Sequence, residues 1–494
     1  MKRYKLLLII VVYLTALIIY SLAINNSPWL ITEDTALHII AAKSISQGKG
    51  FTITSGPSPQ HLRYYPYLYP FLLSLLMPYS GGTYSIYIVF SIFLSMILGF
   101  FLFFIIKGFF KKSESIWIIP LFMLNAQVAI FSRVILTDMP YTVFSICAVY
   151  FISSYIRRQG NFNRFIFPAL LFTALSFYTR LLGVSLVVSF VVYLFMKKEF
   201  KKAFFISVFC LLIVSPWAWD NLIAGKSVYI KEFNSHTSGF GGFLFRYIYN
   251  LLATIGKELP DLFFYPFMSN IDPLRPVAIF KFITGSLIFL ALVRGAFIKI
   301  KEEGVAYFDI YLGTYIIIFY LSWVYHGARL LLPLLPFLLY YLIYFVKMHT
   351  KKNSYFITVL SVLIFLSIVG NIKEIAQIRM TPFTPAQDSY RQAIDWLKER
   401  AHKDDIILSR NVGCVYLYTR GIRGVSFIRR VDNSAQLNNV IKNNARYVII
   451  DQVKIHRDTV RDYLLPMVKA YPDYFQKIYE TRLEPKTVVY KVIR

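Results

Sequence analysis

Apolar runs close to twenty residues long recur along the first 370 positions of the chain, and no other feature restricts its fold as strongly. An α-helix needs about twenty such residues to cross the hydrocarbon core of a bilayer. The 494 residues are 57% hydrophobic and only 16% charged, whereas a soluble globular domain has roughly 25% charged residues. The sequence therefore predicts a polytopic α-helical membrane protein.

Lysine and arginine residues collect in short clusters between the apolar runs. The clusters contain Lys2, Arg3 and Lys5; Lys111 and Lys112; Arg157 and Arg158; Lys197, Lys198, Lys201 and Lys202; Lys299 and Lys301; and Lys347, Lys351 and Lys352. Such clusters mark the cytoplasmic face of a membrane protein. This distribution accounts for the net charge of +27 without a nucleic-acid partner.

One topology places every basic cluster in the cytoplasm. It starts with the N-terminus inside and has about eleven transmembrane helices, predicted at 6–24, 84–106, 116–131, 139–156, 165–179, 182–196, 203–219, 277–296, 306–323, 330–346 and 355–372. The first run lacks a small-residue cleavage site, so we expect a retained helix rather than a signal peptide. An odd number of spans puts the C-terminus outside, which predicts a multi-pass protein of the cytoplasmic membrane.

The predicted transmembrane region, 1–380, contains two long outer loops at 25–83 and 220–276. The apolar stretch RYYPYLYPFLLSLLMPY in the first loop is interpreted as a helix on the outer surface, because a further span would turn the later basic clusters outward. The composition changes near residue 381, and nearly half of the 26 acidic residues follow. Strand-length runs, DIILSR, GVSFI and ARYVIID, alternate there with helix-like stretches, so 381–494 is predicted to be a small extracytoplasmic α/β domain with a partly parallel sheet.

Ionisable residues gather at the predicted outer ends of the spans, where charges usually face a cavity or a partner. They are Glu33, Asp34, Asp138, Arg180, His326 and Arg329. Each has a simpler explanation when taken alone. The carboxylates can be solvated or can stabilise a turn, the arginines can reach lipid phosphates, and the histidine can be structural. His38 follows Asp34 by four residues, which is only a weak indication of a metal pair.

Taken together, these local sequences resemble a known family. TEDTALHIIAAKSISQGKG, YYPYLYPFLLSLL, LTDMP, YTRLLG, SPWAWDNLIAGK and ARLLLPLLPFL follow one another in the order seen in the GT-C glycosyltransferase superfamily. Within it, the chain resembles the branch of the protein O-mannosyltransferases and the lipid A aminoarabinose transferases. The resemblance covers the transmembrane region and extends to the C-terminal domain.

The resemblance implies a membrane enzyme that takes a sugar from a polyprenyl-phosphate carrier and passes it to a hydroxyl-bearing acceptor outside the cytoplasmic membrane. It implies that Asp34 is the base, with Glu33 as its neighbour, and that Asp138 helps to shape the donor and acceptor site. Arg180 and Arg329 would lie near the lipid phosphate, and we group His326 with them. The order Glu-Asp, in place of the common Asp-Glu, leaves open which carboxylate is the base.

No cofactor is required by this chemistry, since the lipid phosphate is already an activated leaving group, and neither a P-loop nor a GxGxxG motif is present. The aminoarabinose branch has a Glu-Lys pair in its surface helix, whereas Tyr64, Tyr65, Pro66 and Tyr67 stand here. No metal-ligand set is therefore assigned, and a divalent metal stays open.

Three other functions remain open at this stage. A transporter or lipid flippase would also hold charges in the membrane, although usually in the middle of a span rather than at outer ends. An oligosaccharyltransferase or glycan ligase would share the fold. A structural scaffold with a ligand-binding outer domain is the third alternative.

Overall fold

The computed structural model describes residues 3–22, 24, 32–62, 66–158, 164–219, 239–268, 277–322, 327–350, 352–380, 383–428, 431–454 and 459–493. The chain divides into two compact units. The first, called the helical unit, comprises Met1–Ile24, Arg63–Tyr69 and Tyr87–Ala376. The second, called the sheet unit, comprises Asn25–Leu62, Pro70–Ile86 and Gln377–Arg494, so the first outer loop shares a unit with the C-terminal region.

The helical unit consists almost wholly of apolar helices. Its α-helices are Arg3–Leu22, Ser85–Phe109, Ile118–Met123, Ala126–Ser132, Asp138–Arg157, Ile166–Thr179, Val184–Met196, Phe200–Ala218, Gly239–Ala253, Leu259–Phe264, Val277–Glu303, Tyr307–Thr314, Leu335–His349 and Asn353–Met380. Three 3-10 segments, Ser113–Trp117, Leu181–Gly183 and Ala328–Leu334, and two π-helical segments, Thr254–Glu258 and Tyr315–Tyr320, join or extend them.

Six helices among the described residues are long and apolar enough to cross a membrane, and a bent pair would make a seventh. The pair is Ser113–Met123 with Ala126–Ser132, which bends by 53°. Asn125 explains the bend, since its side chain accepts hydrogen bonds from the backbone N–H groups of Gln127 and Val128 and so begins a new helix. Shorter apolar helices occupy the other predicted spans. A helical membrane protein is confirmed, while the count of eleven spans stays a prediction.

Close backbone contacts and buried hydrogen bonds hold the helices of this unit together. A Cβ atom at Gly295 would lie 2.0 Å from the carbonyl oxygen of Tyr341, so only glycine allows this crossing. Tyr20 donates its hydroxyl to the carbonyl of Met123 at 2.5 Å, and Asn371 donates to that of Leu124 at 2.8 Å. Polar groups buried among apolar helices need such partners.

The strands all belong to the sheet unit. A two-stranded antiparallel hairpin, β1 (Thr52–Ile53) and β2 (Gln60–His61), lies in the first outer loop. The five-stranded sheet has the order β4-β3-β5-β7-β6, with β3 Ile406–Ser409, β4 Arg423–Ser426, β5 Ala445–Ile450, β6 Phe475–Glu480 and β7 Val488–Val492. β3, β4 and β5 are parallel, and β7 is antiparallel to both β5 and β6. The predicted small α/β domain with a partly parallel sheet is confirmed.

Helices cover both faces of this sheet. Pro385–Arg400 and Val412–Tyr418 pack on one face, where Ile394, Leu397 and Val415 meet Ile407 and Ile449. Asn433–Lys442 and Val460–Ala470 pack on the other face. The remaining helices of the unit are Glu33–Ser46 and Leu68–Leu76, with a 3-10 turn at Met77–Tyr79 and another at Pro472–Tyr474. Leu68–Leu76 lies within the stretch of the first loop that was expected to be helical, and its position on the outer surface stays a prediction.

Candidate active site

The helix Glu33–Ser46, called the first-loop helix, begins with the two predicted carboxylates. Thr32 caps it by accepting a hydrogen bond from the backbone N–H of Thr35 at 3.2 Å. Glu33 and Asp34 then lie in the first turn, where the helix dipole favours negative charge. The sequence TED followed by an apolar stretch thus fixes where the helix starts and presents both carboxylates at its N-terminus.

Glu33 is bound by the C-terminal part of the sheet unit. Its Oε1 accepts a hydrogen bond from the backbone N–H of Gly413 at 2.9 Å, at the start of Val412–Tyr418, which we call the domain helix. Burial raises the pKa of the Glu33 carboxyl, and the backbone N–H groups of Gly413 and Cys414 partly offset this effect. Glu33 therefore connects the first-loop helix with the domain helix.

Asp34, like Glu33, is half-buried, while Thr35, Ala36 and His38 further along the helix are buried. One helical step, about 100°, separates the directions of the side chains at 33 and 34. The two carboxylates therefore leave the first turn of the helix in different directions.

Asp138 and Arg180 form a buried ion pair in the helical unit. Arg180 Nη1 lies 2.5 Å from Asp138 Oδ1, and the Asp138 side chain is only 2% exposed. Asp138 begins the helix Asp138–Arg157, and Arg180 follows the end of Ile166–Thr179, where the backbone is extended. A short connection joins these two packed helices, so the end of one lies beside the start of the other. The structure brings these two predicted residues together.

Arg329 lies in the 3-10 segment Ala328–Leu334, which packs against the helix that Asp138 begins. Its side chain is half-buried, and no hydrogen-bond or ion-pair partner is found for it in the described part of the chain. Tyr315 donates to the carbonyl of Leu330 at 2.7 Å and lies near both charges of the Asp138–Arg180 pair. The three predicted residues of this unit are thus carried by neighbouring elements.

The remaining predicted residue, His326, lies outside the described residues, as do Tyr64, Tyr65 and residues 220–238 of the second outer loop. Among the residues that are described, no group of three His, Cys, Asp or Glu side chains could hold a metal ion.

Two charged residues of the C-terminal domain were not singled out from the sequence. Arg410 follows β3 and Asp451 follows β5, and Arg410 Nη1 lies 3.4 Å from Asp451 Oδ1. Asp451 is fully buried, and this burial raises the pKa of its carboxyl to about 6. The sequence contained an indication of this pair. DIILSR and ARYVIID each end in a charged residue, and the carboxyl ends of parallel strands meet at one edge of the sheet.

The helical region together with the small C-terminal α/β domain is similar in fold to solved structures of an ArnT and of an AglB oligosaccharyltransferase. ArnT from Cupriavidus metallidurans bound to undecaprenyl phosphate is similar over 99% of this chain and 98% of its own, with a TM-score of 0.56 and 11% identity. The oligosaccharyltransferase AglB from Archaeoglobus fulgidus, in complex with an inhibitory peptide and a dolichol-phosphate, has a TM-score of 0.58 and 12% identity. That match covers 91% of this chain and 69% of AglB.

An Archaeoglobus fulgidus oligosaccharyltransferase in complex with Zn and sulfate is also similar, with a TM-score of 0.58 and 12% identity over 98% of this chain and 73% of that one. No protein-family model and no curated protein sequence matches the chain. The likeness is therefore one of fold.

Proposed function

We propose that this protein is an integral membrane glycosyltransferase that moves a sugar from a polyprenyl-phosphate donor to a hydroxyl-bearing acceptor. The observation that carries the proposal is the fold shared along nearly the whole chain with ArnT bound to undecaprenyl phosphate. The donor and the acceptor site would lie at the outer face of the cytoplasmic membrane, with the N-terminus in the cytoplasm and residues 381–494 outside.

In the proposed reaction, Asp34 takes the proton of the acceptor hydroxyl. The hydroxyl oxygen then forms a bond with the anomeric carbon while the bond from that carbon to the phosphate oxygen breaks, and the electron pair leaves with the polyprenyl phosphate. A carboxylate in the first turn of a helix can serve as such a base. A single displacement of this kind inverts the anomeric carbon.

The leaving phosphate gains negative charge as the bond breaks, and cations must stabilise it. We assign this role to Arg180 and Arg329, because guanidinium groups bind phosphate oxygens with two parallel N–H donors. The ion pair with Asp138 holds Arg180 in a defined position. Arg329, on the turn that packs against the same helix, has its guanidinium available among the described residues. Whether the sugar is a hexose or a pentose, we leave unassigned.

The likeness to AglB supports a second candidate, an oligosaccharyltransferase that transfers a longer lipid-linked glycan. The two candidates differ in the donor they use. Purified protein in detergent should release polyprenyl phosphate from a lipid-linked monosaccharide only if the first proposal is correct. Use of lipid-linked oligosaccharides alone would favour the second.

The natural donor and acceptor can be found by comparing cells with and without the gene. Mass spectrometry of lipid-linked sugars should show one polyprenyl-phosphate sugar accumulating in the deletion strain, and one surface glycan or glycolipid losing that sugar. Transfer by purified protein in detergent also excludes a transporter or flippase, because transport has no meaning without a sealed membrane. A deletion strain with unchanged lipid-linked sugars and surface glycans would contradict the proposal.

A further inference from the structure

The C-terminal domain has a crevice of the kind in which open α/β sheets bind ligands. The chain passes from β3 to β4 on one side and then returns to β5 on the other side of β3. The connecting helices lie on opposite faces of the sheet. In such sheets, ligands bind outside the carboxyl ends of the strands at the point where the strand order reverses. Here that point lies at the ends of β3 and β5.

The crevice is lined by polar side chains that take no part in the hydrogen bonds between the strands. Arg410 and Asp451 end the two strands, and Tyr390 lies near both of them and near Cys414. Asp451 Oδ2 and Arg410 Nε are buried and have no hydrogen-bond partner within the described part of the chain. Buried polar atoms of this kind usually serve a ligand or a function.

Glu33 of the first-loop helix contacts the segment that follows β3. Its Oε1 is bound by Gly413 at the start of the domain helix, and its carboxylate also interacts with Cys414. The approach is close, since a Cβ atom at Gly413 would lie 3.0 Å from both Glu33 Oε1 and the Cβ of Ala36. Cys414 in turn lies near Arg410 and Tyr390, so the Glu33 carboxylate is attached beside the polar groups at the strand ends.

Further contacts join the same two parts of the sheet unit. Thr54 donates its hydroxyl to Tyr416 Oη at 3.2 Å, and Gly424 donates its backbone N–H to the carbonyl of Ser55 at 2.8 Å. Arg423 Nη1 donates to the carbonyl of Pro57 at 3.1 Å. The loop after the first-loop helix is therefore also attached to the edge strand and to the domain helix. The Glu33 carboxylate adds a charged contact between the first-loop helix and the domain helix.

We propose that Glu33 occupies the strand-end crevice of the C-terminal domain as an internal ligand, so that this domain positions the first-loop helix and with it Asp34. The inference rests on the proposed function, because it gives Asp34 the role of base. Glu33 is then a positioning residue, which explains why two adjacent carboxylates are present although the reaction uses one. The domain contributes to transfer through this contact.

The test uses the full-length protein in detergent and two readouts. Hydrogen exchange followed by mass spectrometry reports on the first-loop helix (33–46) and the domain helix (412–418). Transfer from a lipid-linked sugar gives kcat, KM and the pH profile. Glu33→Ala should raise exchange in both helices at least tenfold, as expected for the loss of hydrogen bonds to a charged group. It should lower kcat while leaving the KM for the donor unchanged.

Matched variants separate positioning from a general loss of stability. Glu33→Gln keeps an oxygen that accepts from Gly413, so exchange and kcat should return close to the unmodified protein. Gly413→Ala keeps every polar group but adds a methyl group at 3.0 Å from Glu33 Oε1, and should loosen the same two helices. Glu399→Ala removes an exposed glutamate from the same unit and should change neither readout.

Unchanged exchange in both Glu33→Ala and Gly413→Ala would overturn the inference. So would the complete loss of the acidic limb in Glu33→Ala, which would make Glu33 the base itself. Full transfer by Asp34→Asn would instead refute the proposed base, and raised exchange in Glu33→Ala would then still support the internal-ligand contact.

Discussion

Two adjacent carboxylates, Glu33 and Asp34, leave the first turn of the first-loop helix in different directions. Glu33 is held by the backbone N–H of Gly413, and burial raises the pKa of its carboxyl. We therefore propose that Glu33 positions the helix and that Asp34, the next residue of the same turn, acts as the base.

Asp34→Asn is therefore expected to abolish most of the transfer activity. The amide keeps the size and polarity of the side chain but cannot take a proton. Loss of general-base catalysis typically lowers the rate by about 10²–10⁴-fold. Donor binding should change little, since the carboxylate acts on the acceptor. Transfer kinetics and donor binding measured on the same preparation provide the check, with Glu33→Gln as the milder control. An active Asp34→Asn together with an inactive Glu33→Gln would mean that the roles are reversed.

The two arginines can be tested by measuring binding of a polyprenyl phosphate. Arg329→Ala should weaken binding by about tenfold or more, the usual effect of losing a charge-assisted hydrogen bond. Lysine at the same position should restore only part of the affinity, because a point charge lacks the two parallel donors of a guanidinium.

Arg180 needs a different design, since removing it alone leaves Asp138 buried without its partner, which typically costs about 3–5 kcal/mol. The double variant Arg180→Ala with Asp138→Asn removes both charges and should fold but bind the phosphate weakly. Normal affinity in this variant and in Arg329→Ala would show that both arginines serve only structure or the lipid interface.

At the scale of elements, the helix Val277–Glu303 depends on glycine for its packing. A Cβ atom at Gly295 would lie 2.0 Å from the carbonyl oxygen of Tyr341 in Leu335–His349. Gly295→Ala must therefore push the two helices apart, and overpacking of this kind typically costs about 1–3 kcal/mol. We expect a lower unfolding temperature in detergent.

Gly313→Ala is the matched control for that experiment, since Gly313 is also helical but has no atom within 4 Å of the added Cβ. This variant should be neutral or slightly stabilising, because alanine lowers the conformational entropy of the unfolded chain. Equal unfolding temperatures for both variants would mean that the helices do not cross as closely as the structure shows.

The parallel strands of the C-terminal domain should become more stable as the pH falls from neutral towards 4. Burial raises the pKa of the Asp451 carboxyl from 3.8 to about 6, so the folded state binds a proton that the unfolded state releases in this interval. Stability from this group is present below the unfolded pKa and is lost as the pH rises through about 6. Glu33, whose pKa burial also raises, acts with the same sign.

Hydrogen exchange of the amides in β3 and β5, corrected for the intrinsic pH dependence, measures this effect. Each pH unit between the two pKa values of Asp451 corresponds to about 1.36 kcal/mol. The free energy that protects these amides against exchange should therefore increase on acidification by up to about 3 kcal/mol. Asp451→Asn should remove most of the dependence. Protection that decreases on acidification would contradict the assigned direction.

Across the whole molecule, the sequence was informative wherever one segment determines its own structure. The apolar runs predicted the positions of the helices, because about twenty apolar residues have few other stable arrangements. The strands β3, β4 and β5 were also predicted, since each is a short apolar run. β6 and β7 were missed: β6 contains exposed polar residues such as Gln476 and Lys477, and a register shift interrupts its pairing.

The candidate site could be predicted residue by residue but not as an arrangement. Asp138 and Arg180 each stand at the end of an apolar run, yet their ion pair depends on how two helices pack. The contact between Glu33 and Gly413 joins positions 380 residues apart, and no local pattern indicates it. The same contact explains why the first outer loop shares a unit with the C-terminal region, although the sequence assigned that loop to the transmembrane region.

The orientation of the chain is the last property to test, and it concerns the molecule as a whole. If every basic cluster faces the cytoplasm and the number of spans is odd, a reporter fused after Arg494 should be active only outside the cytoplasm. A reporter fused after Lys112, within a predicted cytoplasmic cluster, is the matched control and should show the opposite behaviour. Activity of the Arg494 fusion in the cytoplasm would overturn the odd number of spans. It would also place the α/β domain, together with the first-loop helix that shares its unit, on the side of the membrane where the proposed acceptor is absent.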